Sequence, residues 1–316
     1  MSKQPQPFPY EISIVIPCFN EEDNIPVIYR ELKKWLKNET YEVVFVDDGS
    51  TDGSLAVLQQ LAASHKNIKY ISFSRNFGHQ AALRAGLRGA SGRAVISMDA
   101  DLQHPAKLLP QLLDEWRSGY DVVYTVRKDT SETGAFKRFT SRQFYRWMNY
   151  LSDLHIDEGA ADFRLLDRKV VTVINRQQES ELFLRGYISW LGFNQKAVLY
   201  EPAKRFSGQS KYTLRKMLNL ATHGVTQFSV KPLRLSIIVG LTFAILGALY
   251  GIYAVISYFT SNTVASGWTS LTVLILITSG IQLVLLGVVG EYVGRTFVQT
   301  KNRPDYLVSR TNVEDL

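Results

Sequence analysis

The sequence predicts a doubly wound, mainly parallel α/β domain followed by two helices that cross a membrane. Two observations carry this. Through the first two-thirds of the chain, short apolar runs alternate with helical stretches of roughly ten residues, the pattern of crossover βαβ units. Beyond them, residues 235–290 include no Asp, Glu, Lys, Arg or His, although the 316 residues hold 36 basic and 29 acidic side chains. That partition excludes a plain soluble enzyme, a disordered chain and a collagen-like repeat.

The elements follow in order. Ile12–Pro17 (ISIVIP) is a buried strand, and Ile25–Leu36 an amphipathic helix. Tyr41–Val46 (YEVVFV) is the next strand, closing in DDGSTDGS, and Ser54–Ala63 is helical. Ile68–Phe73 and Ala94–Met98 (AVISM) are strands flanking the helical run His79–Gly89. Leu108–Arg117 is a helix and Asp121–Val126 (DVVYTV) a strand. In such sheets ligands bind beyond the carboxyl ends of the strands, where the acidic clusters of this chain stand. Residues 134–212 are less regular, with Gly134–Tyr150 helical.

Leu233–Phe259 is an apolar run of 27 residues. At about 1.5 Å per residue it reaches roughly 40 Å, ample for a hydrocarbon core of about 30 Å. Leu271–Gly290 supplies a second span. Lys231 and Arg234 precede the first, while Arg295, Lys301 and Arg303 follow the second. By the positive-inside rule both flanks are cytoplasmic and the uncharged loop Thr260–Thr269 is external. Between domain and spans, Leu214, Met217, Leu218, Ala221, Val225 and Phe228 share one helical face. This is read as an interfacial amphipathic helix with a basic approach. The expected divisions are therefore 1–212, a cytoplasmic catalytic domain; 213–232, interfacial; 233–292, the two-helix membrane region; and 293–316, a cytoplasmic tail. The net charge of +7 suits anionic partners, and the single cysteine, Cys18, excludes an internal disulfide. The polar, proline-rich start MSKQPQPFPYE is no signal peptide.

Three clusters carry chemistry. Asp99-Ala100-Asp101, closing a strand, is followed by Gln103 and His104. Two carboxylates and an amide oxygen at this spacing present hard oxygen ligands to Mg²⁺ or Mn²⁺; the bland alternative is a turn that Asp101 caps. Val46-Asp47-Asp48-Gly49-Ser50 places carboxylates at a strand end, where they accept hydrogen bonds from a base edge and ribose hydroxyls or simply cap a turn. Pro17-Cys18-Phe19-Asn20-Glu21 offers an aromatic ring to a base and a carboxylate to a ribose.

Taken together, IVIPCFNEEDNI, VVFVDDGSTDGS and ISMDADLQHP resemble the family 2 inverting glycosyltransferases of GT-A fold. Asp162-Phe163-Arg164-Leu165-Leu166-Asp167-Arg168 and Arg205-Phe206-Ser207-Gly208-Gln209-Ser210-Lys211-Tyr212 are similar to motifs of the polyprenyl-phosphate hexosyltransferases, among them dolichol-phosphate mannose synthases and bactoprenol glucosyltransferases. The two terminal spans look like the glucosyl branch. The resemblance implies that Pro17, Phe19, Glu21, Val46 and Asp48 line the base and ribose. It implies that Asp99 and Ala100 continue that site, with Asp101, Gln103 and Asp99 toward Mg²⁺ or Mn²⁺ and the diphosphate. Arg127 and Arg164 would help hold the nucleotide sugar, and Arg205 and Lys211 phosphates. Asp162, or its rival Asp157, would be the acceptor-side carboxylate. Phe19 departs from the tyrosine frequent at its position and so lacks a hydroxyl donor.

The function implied is inverting transfer of glucose from UDP-glucose to undecaprenyl phosphate at the cytoplasmic leaflet. The alternatives are a GDP-mannose-dependent synthase, a processive polysaccharide synthase, and a membrane scaffold that binds nucleotide without turnover. Gln143 and Arg146-Trp147 match the QxxRW pattern of processive synthases but precede Asp157 and Asp162, the wrong order. The five histidines show no metal-ligand spacing, no GxGxxG is present, and no nucleic-acid module is recognisable. Gly240, Gly247 and Gly251 offer small faces on which spans would pack into a homo-oligomer.

Overall fold

A computed structural model describes residues 8–127, 143, 146, 149–150, 157, 159–179, 182–201, 226–227, 229–260 and 267–314. The strands are β1 (Ile12–Cys18), β2 (Tyr41–Asp47), β3 (Ile68–Phe73), β4 (Ala94–Ser97), β5 (Val122–Arg127), β6 (Ala160–Asp167), β7 (Gln195–Tyr200) and β8 (Val308–Thr311). They form one sheet in the order β7-β5-β6-β4-β1-β2-β3-β8. The β3-β2-β1-β4 segment is parallel, as the crossover pattern requires. β6 runs antiparallel to both β4 and β5, and β8 antiparallel to β3, so the sheet is mixed.

Side chains alternate across it with the period of two that a strand imposes. Ile12, Ile14 and Ile16 of β1, Val43 and Phe45 of β2, and Ile96 of β4 enter one core layer. Helices α1 (Asn24–Trp35), α2 (Ser54–Ser64) and α4 (Leu109–Arg117) cover that layer through Ile25, Ile28, Leu32, Leu58, Leu112 and Trp116. Val15, Val44, Val46 and Val95 enter the other. It is covered by α3 (His79–Gly89), α5 (Arg168–Asn175) and α6 (Leu184–Trp190). Helix α3 lies so close to the sheet that a Cβ on Gly86 would sit 2.2 Å from Val15 Cγ1. The close approach explains a glycine inside a helix, where it otherwise costs about 1 kcal/mol.

Two long helices follow, α7 (Lys231–Thr260) and α8 (Trp268–Thr300). Lys231–Tyr253 and Val273–Thr300 are long and apolar enough to cross a membrane, and neither is buried within the protein. Leu241, Ile245, Leu249 and Ile252 of α7 and Leu283, Val284 and Leu286 of α8 face outward. In water that surface would be prohibitive; in hydrocarbon it is the required one.

Of residues 293–316, expected from the sequence to be a cytoplasmic tail, 293–314 are described. The first of them continue α8 past the Glu291–Arg295 ion pair to Thr300. The chain then returns to the sheet as β8, pairing Ile71 with Thr311 and Phe73 with Val308. Asn312 accepts the Tyr70 N–H and donates to the Ile68 carbonyl. Tyr306 stacks on Phe73 with ring centroids 4.9 Å apart, and Asp305 pairs with Arg84 of α3. Of the expected interfacial segment 213–232, only residues 226–227 and 229–232 lie among the described residues.

Candidate active site

The carboxyl ends of β1, β2 and β4 converge on one rim. Beyond β1 the turn is stitched to the loop beyond β2: Asn20 N–H donates to Ser50 Oγ at 2.9 Å, and Thr51 N–H to Asn20 Oδ1 at 2.8 Å. Glu21 N–H donates to Ser54 Oγ and Gly53 N–H to Glu22 Oε2, each at 2.9 Å. These bonds leave the Phe19 ring exposed at the rim. Glu21 is held by the Asn24 amide at 2.5 Å. Burial, with the charges of Asp101, Asp52 and Asp99, raises its pKa above the ordinary glutamate value. The charges of Asp99 and Asp101 thus reach Glu21 across the rim.

Asp48 is buried, and both its oxygens accept backbone N–H groups, from Phe77 at 2.7 Å and Gly78 at 2.9 Å. Burial raises its pKa and outweighs the two hydrogen bonds. It thus anchors the entry to α3 as well as standing at the rim. Gly49, at φ +69°, lets the turn press on the Arg75–Asn76 backbone, where a Cβ would sit 2.4 Å from Arg75 C. The Val46 side chain is fully buried against α3, and Pro17 and Ala100 are buried too. What these three present to the rim is backbone rather than side chain.

At the end of β4, Gln103 N–H donates to Asp101 Oδ1 at 3.1 Å, the turn expected of an aspartate two residues earlier. Asp99 N–H donates to His104 Nδ1 at 3.2 Å, and the His104 ring stacks on Phe163, centroids 5.2 Å apart. Asp99 Oδ1 is a buried atom that makes no hydrogen bond. Buried without a hydrogen bond and 3.5 Å from His79 Nε2, it is a hard oxygen of the kind a divalent cation takes. Among the described residues no three His, Cys, Asp or Glu side chains are grouped to hold a metal ion. Such an ion would take one or two carboxylates and complete its shell with substrate phosphate and water.

On β6, Asp162 meets three donors. Arg164 NH2 lies 3.3 Å from Oδ1, Arg185 NH2 3.2 Å from Oδ2, and His79 Nε2 3.6 Å from Oδ2. Burial would raise the pKa of Asp162, but Arg185, His79 and Arg164 together hold it well below the carboxylate range. His79 also lies 3.5 Å from Asp99 Oδ1. Desolvation disfavours its imidazolium, yet the neighbouring carboxylates of Asp162 and Asp99 leave its pKa raised. Burial lowers that of Arg164 to about 10, against the pull of Asp162. Asp157 is exposed and accepts the Tyr124 hydroxyl at 2.5 Å; burial and that carboxylate push the Tyr124 pKa to about 12. Arg127 closes β5, its N–H bonded to the Gly159 carbonyl at 3.0 Å. Arg205 and Lys211 lie outside the described residues.

Sequence reasoning missed His79, His104 and Arg185. His104 adjoins the Asp99–Gln103 cluster, so local spacing was signal enough. His79 and Arg185 reach the site only through the crossing of α3 and α6 over the sheet, and no local motif marks them.

A mixed sheet whose parallel central strands end in an acidic rim, with cationic side chains on and around β6, is the architecture of a GT-A type glycosyltransferase domain. The chain belongs to glycosyl transferase family 2, whose model matches residues 13–174, and residues 231–296 match the GtrB C-terminal hairpin. It is 43% identical over 304 residues to an uncharacterized glycosyltransferase, YkcC, of Bacillus subtilis (strain 168), covering 95% of this chain and 94% of that one. It is 40% identical over 302 residues to a prophage bactoprenol glucosyl transferase homolog of Escherichia coli (strain K12), covering 95% and 99%. A bactoprenol glucosyl transferase of Shigella phage SfV is 42% identical over 300 residues, covering 94% and 98%.

Proposed function

We propose that the protein transfers glucose from UDP-glucose to undecaprenyl phosphate at the cytoplasmic face of a membrane, with inversion, giving a β-linked lipid phospho-sugar. The observation that carries this is the acidic rim of Glu21, Asp99 and Asp101 on a domain joined to two membrane-length apolar helices. Near full-length similarity to proteins named bactoprenol glucosyl transferase supports the lipid acceptor and the sugar.

In this reading Phe19 stacks on the base and Glu21 engages the ribose, while Asp48 keeps the α3 entry in place beside them. Asp99, Asp101 and Gln103 are the residues that would hold Mg²⁺ or Mn²⁺, which would offset the charge on a departing nucleoside diphosphate. Arg127 and Arg164 steady the donor, and Arg205 and Lys211 take up phosphate charge. The acceptor needs no base, because a lipid phosphomonoester with a second pKa near ~6 is already ionised at neutral pH. Asp162 suits that chemistry: a carboxylate saturated by arginines has little proton affinity and works by orientation. The basic residues flanking the spans support a cytoplasmic domain.

The test is transfer by the purified protein in detergent, with labelled UDP-glucose, undecaprenyl phosphate and Mg²⁺ or Mn²⁺. Metal-dependent label in a mild-acid-labile lipid supports the proposal. Label from GDP-mannose alone, a polymeric product, or UDP binding without turnover overturns it in favour of the corresponding alternative.

A further inference from the structure

His79 opens α3, immediately after Gly78 at φ +100°. Its entry is fixed from below, since Asp48 accepts the N–H groups of both Phe77 and Gly78. Held there, the imidazole Nε2 lies 3.5 Å from Asp99 Oδ1 and 3.6 Å from Asp162 Oδ2. The two carboxylates come from neighbouring antiparallel strands: Asp99 just beyond β4 on the donor side, Asp162 within β6 on the acceptor side. One ring nitrogen therefore lies within 3.6 Å of a carboxylate from each of the two strand ends.

The alternatives open to the two carboxylates show what that span does. Asp162 is tied to Arg164 and Arg185, and its backbone carbonyl accepts the Ser97 hydroxyl at 2.6 Å. It is immobile. Asp99 is held more loosely, by its N–H on His104 and by side-chain contacts to His104 Nε2 at 3.8 Å and His79 Nε2 at 3.5 Å, while its Oδ1 makes no hydrogen bond. Two partly buried carboxylates facing one another repel unless a donor lies between them. Without the Nε2 group, Asp99 would turn from Asp162 and carry the donor-side oxygen with it.

We propose that His79 is a positioning residue of the transfer site, its Nε2 group bridging Asp99 and Asp162 and so setting the spacing between donor and acceptor halves. The proposal rests on the glycosyl-transfer reading above and deepens it. A displacement of about 1 Å at a reacting centre costs up to ~100-fold in rate, so the bridge acts on kcat more than on donor affinity.

The experiment compares His79→Ala, His79→Gln and His79→Asn in the full-length protein. The glutamine amide reaches the place of Nε2; the asparagine amide, shorter, reaches only that of Nδ1. The expected result is a kcat about 10- to 100-fold lower for Ala and Asn, substantial recovery for Gln, and UDP affinity within about threefold of wild type throughout. Equal behaviour of Gln and Asn, an unchanged kcat for Ala, or a loss of UDP affinity in step with kcat overturns the bridge. If Ala fails to fold, the Gln–Asn contrast decides. A thermal double-mutant cycle of His79→Gln and His79→Asn with Asp162→Asn needs no substrate. Coupling to Asp162→Asn for His79→Asn, with near-additivity for His79→Gln, supports the bridge; additivity in both, or equal coupling in both, overturns it. A wild-type protein that transfers no glucose to undecaprenyl phosphate defeats the functional reading alone, and the cycle then still decides the role of His79.

Discussion

Asp162→Asn separates two roles for the acceptor-side carboxylate. The substitution keeps the shape and removes the charge. Arg164, only 5% exposed, then loses the carboxylate that compensates its burial, and Arg185 loses the same partner. Breaking a buried ion pair from one side costs about 3–5 kcal/mol. Arg164 keeps the Ala161 carbonyl at 2.9 Å and Arg185 is part-exposed, so the lower end applies, about 3 kcal/mol. At roughly 2–4 °C per kcal/mol for a domain of this size, the melting temperature in detergent falls by about 6–12 °C. The pH dependence follows from the sign of the shift. The folded pKa of Asp162 is depressed, because its cations outweigh its burial. Its stabilising contribution is complete above the ordinary carboxylate pKa of about 4 and is lost only as pH falls toward the depressed folded value. Between pH 5 and 8 nothing in Asp162 titrates, and the wild-type rate profile contains no limb from it. A general base would have the opposite signature, a pKa near the working pH. The reasoning is refuted by a melting shift under about 2 °C, or by an acid limb in that window that persists in His79→Gln and that Asp162→Asn abolishes.

Three further outcomes are expected. Asp101→Ala lowers turnover by at least about 100-fold and weakens Mn²⁺-dependent UDP binding in calorimetry, since it removes a carboxylate aimed at the developing charge; a wild-type rate returns Asp101 to a turn cap. Asp305→Asn, which leaves the mostly buried Arg84 with carbonyl partners at Gln177 and Glu179, costs about 2 kcal/mol and lowers the melting temperature by about 4–8 °C; an unchanged melt means that the tail is not docked through this pair. A reporter joined after Ala265 reads an external location, and a cytoplasmic signal there overturns the topology drawn from the basic flanks.

The first half of the fold was legible because its strands are buried on both faces. ISIVIP, YEVVFV and AVISM are continuous apolar runs, and the observed β1, β2 and β4 match them to within a residue. β6 was read as a motif, DFRLLD, because its charged residues interrupt the apolar pattern. Those charges are inside the site rather than on a solvated face, with Arg164 buried against Asp162. β8 escaped for the contrary reason. Val308–Thr311 is short and exposed, an edge strand whose membership depends on Ile71 and Phe73, more than two hundred residues earlier. The acidic rim was legible because each cluster follows its strand directly. The opposite wall was not, since His79, Asp162 and Arg185 meet only after α3 and α6 have packed on the sheet. Periodicity reports which face of an element is buried; it carries no information about which elements become neighbours.

The same topology bears on how a soluble-side site works on a membrane-bound acceptor. In chain order the two apolar helices lie between β7 and β8, and these are the two outer strands of a single sheet. The chain leaves the domain at one edge, crosses the apolar segment twice and returns to the other edge. A domain hung on one flexible linker would sample many orientations, and the acceptor phosphate would meet the rim only in some of them. Here the last turn of α8 touches the domain: Gln299 donates to the Gln178 carbonyl at 3.1 Å, while Tyr292 donates to the Ser229 carbonyl just before α7 at 2.7 Å. Arg84 binds the Gln177 and Glu179 carbonyls of the same loop together with Asp305 of the returning chain. That loop leads into α6, whose Arg185 meets Asp162. The groups that tie the helical hairpin to the domain are therefore a few residues in sequence from those that fix the acceptor-side carboxylate. The contacts that hold the helical hairpin against the domain and those that hold Asp162 thus share one stretch of chain, so a change in one is expected to be felt at the other.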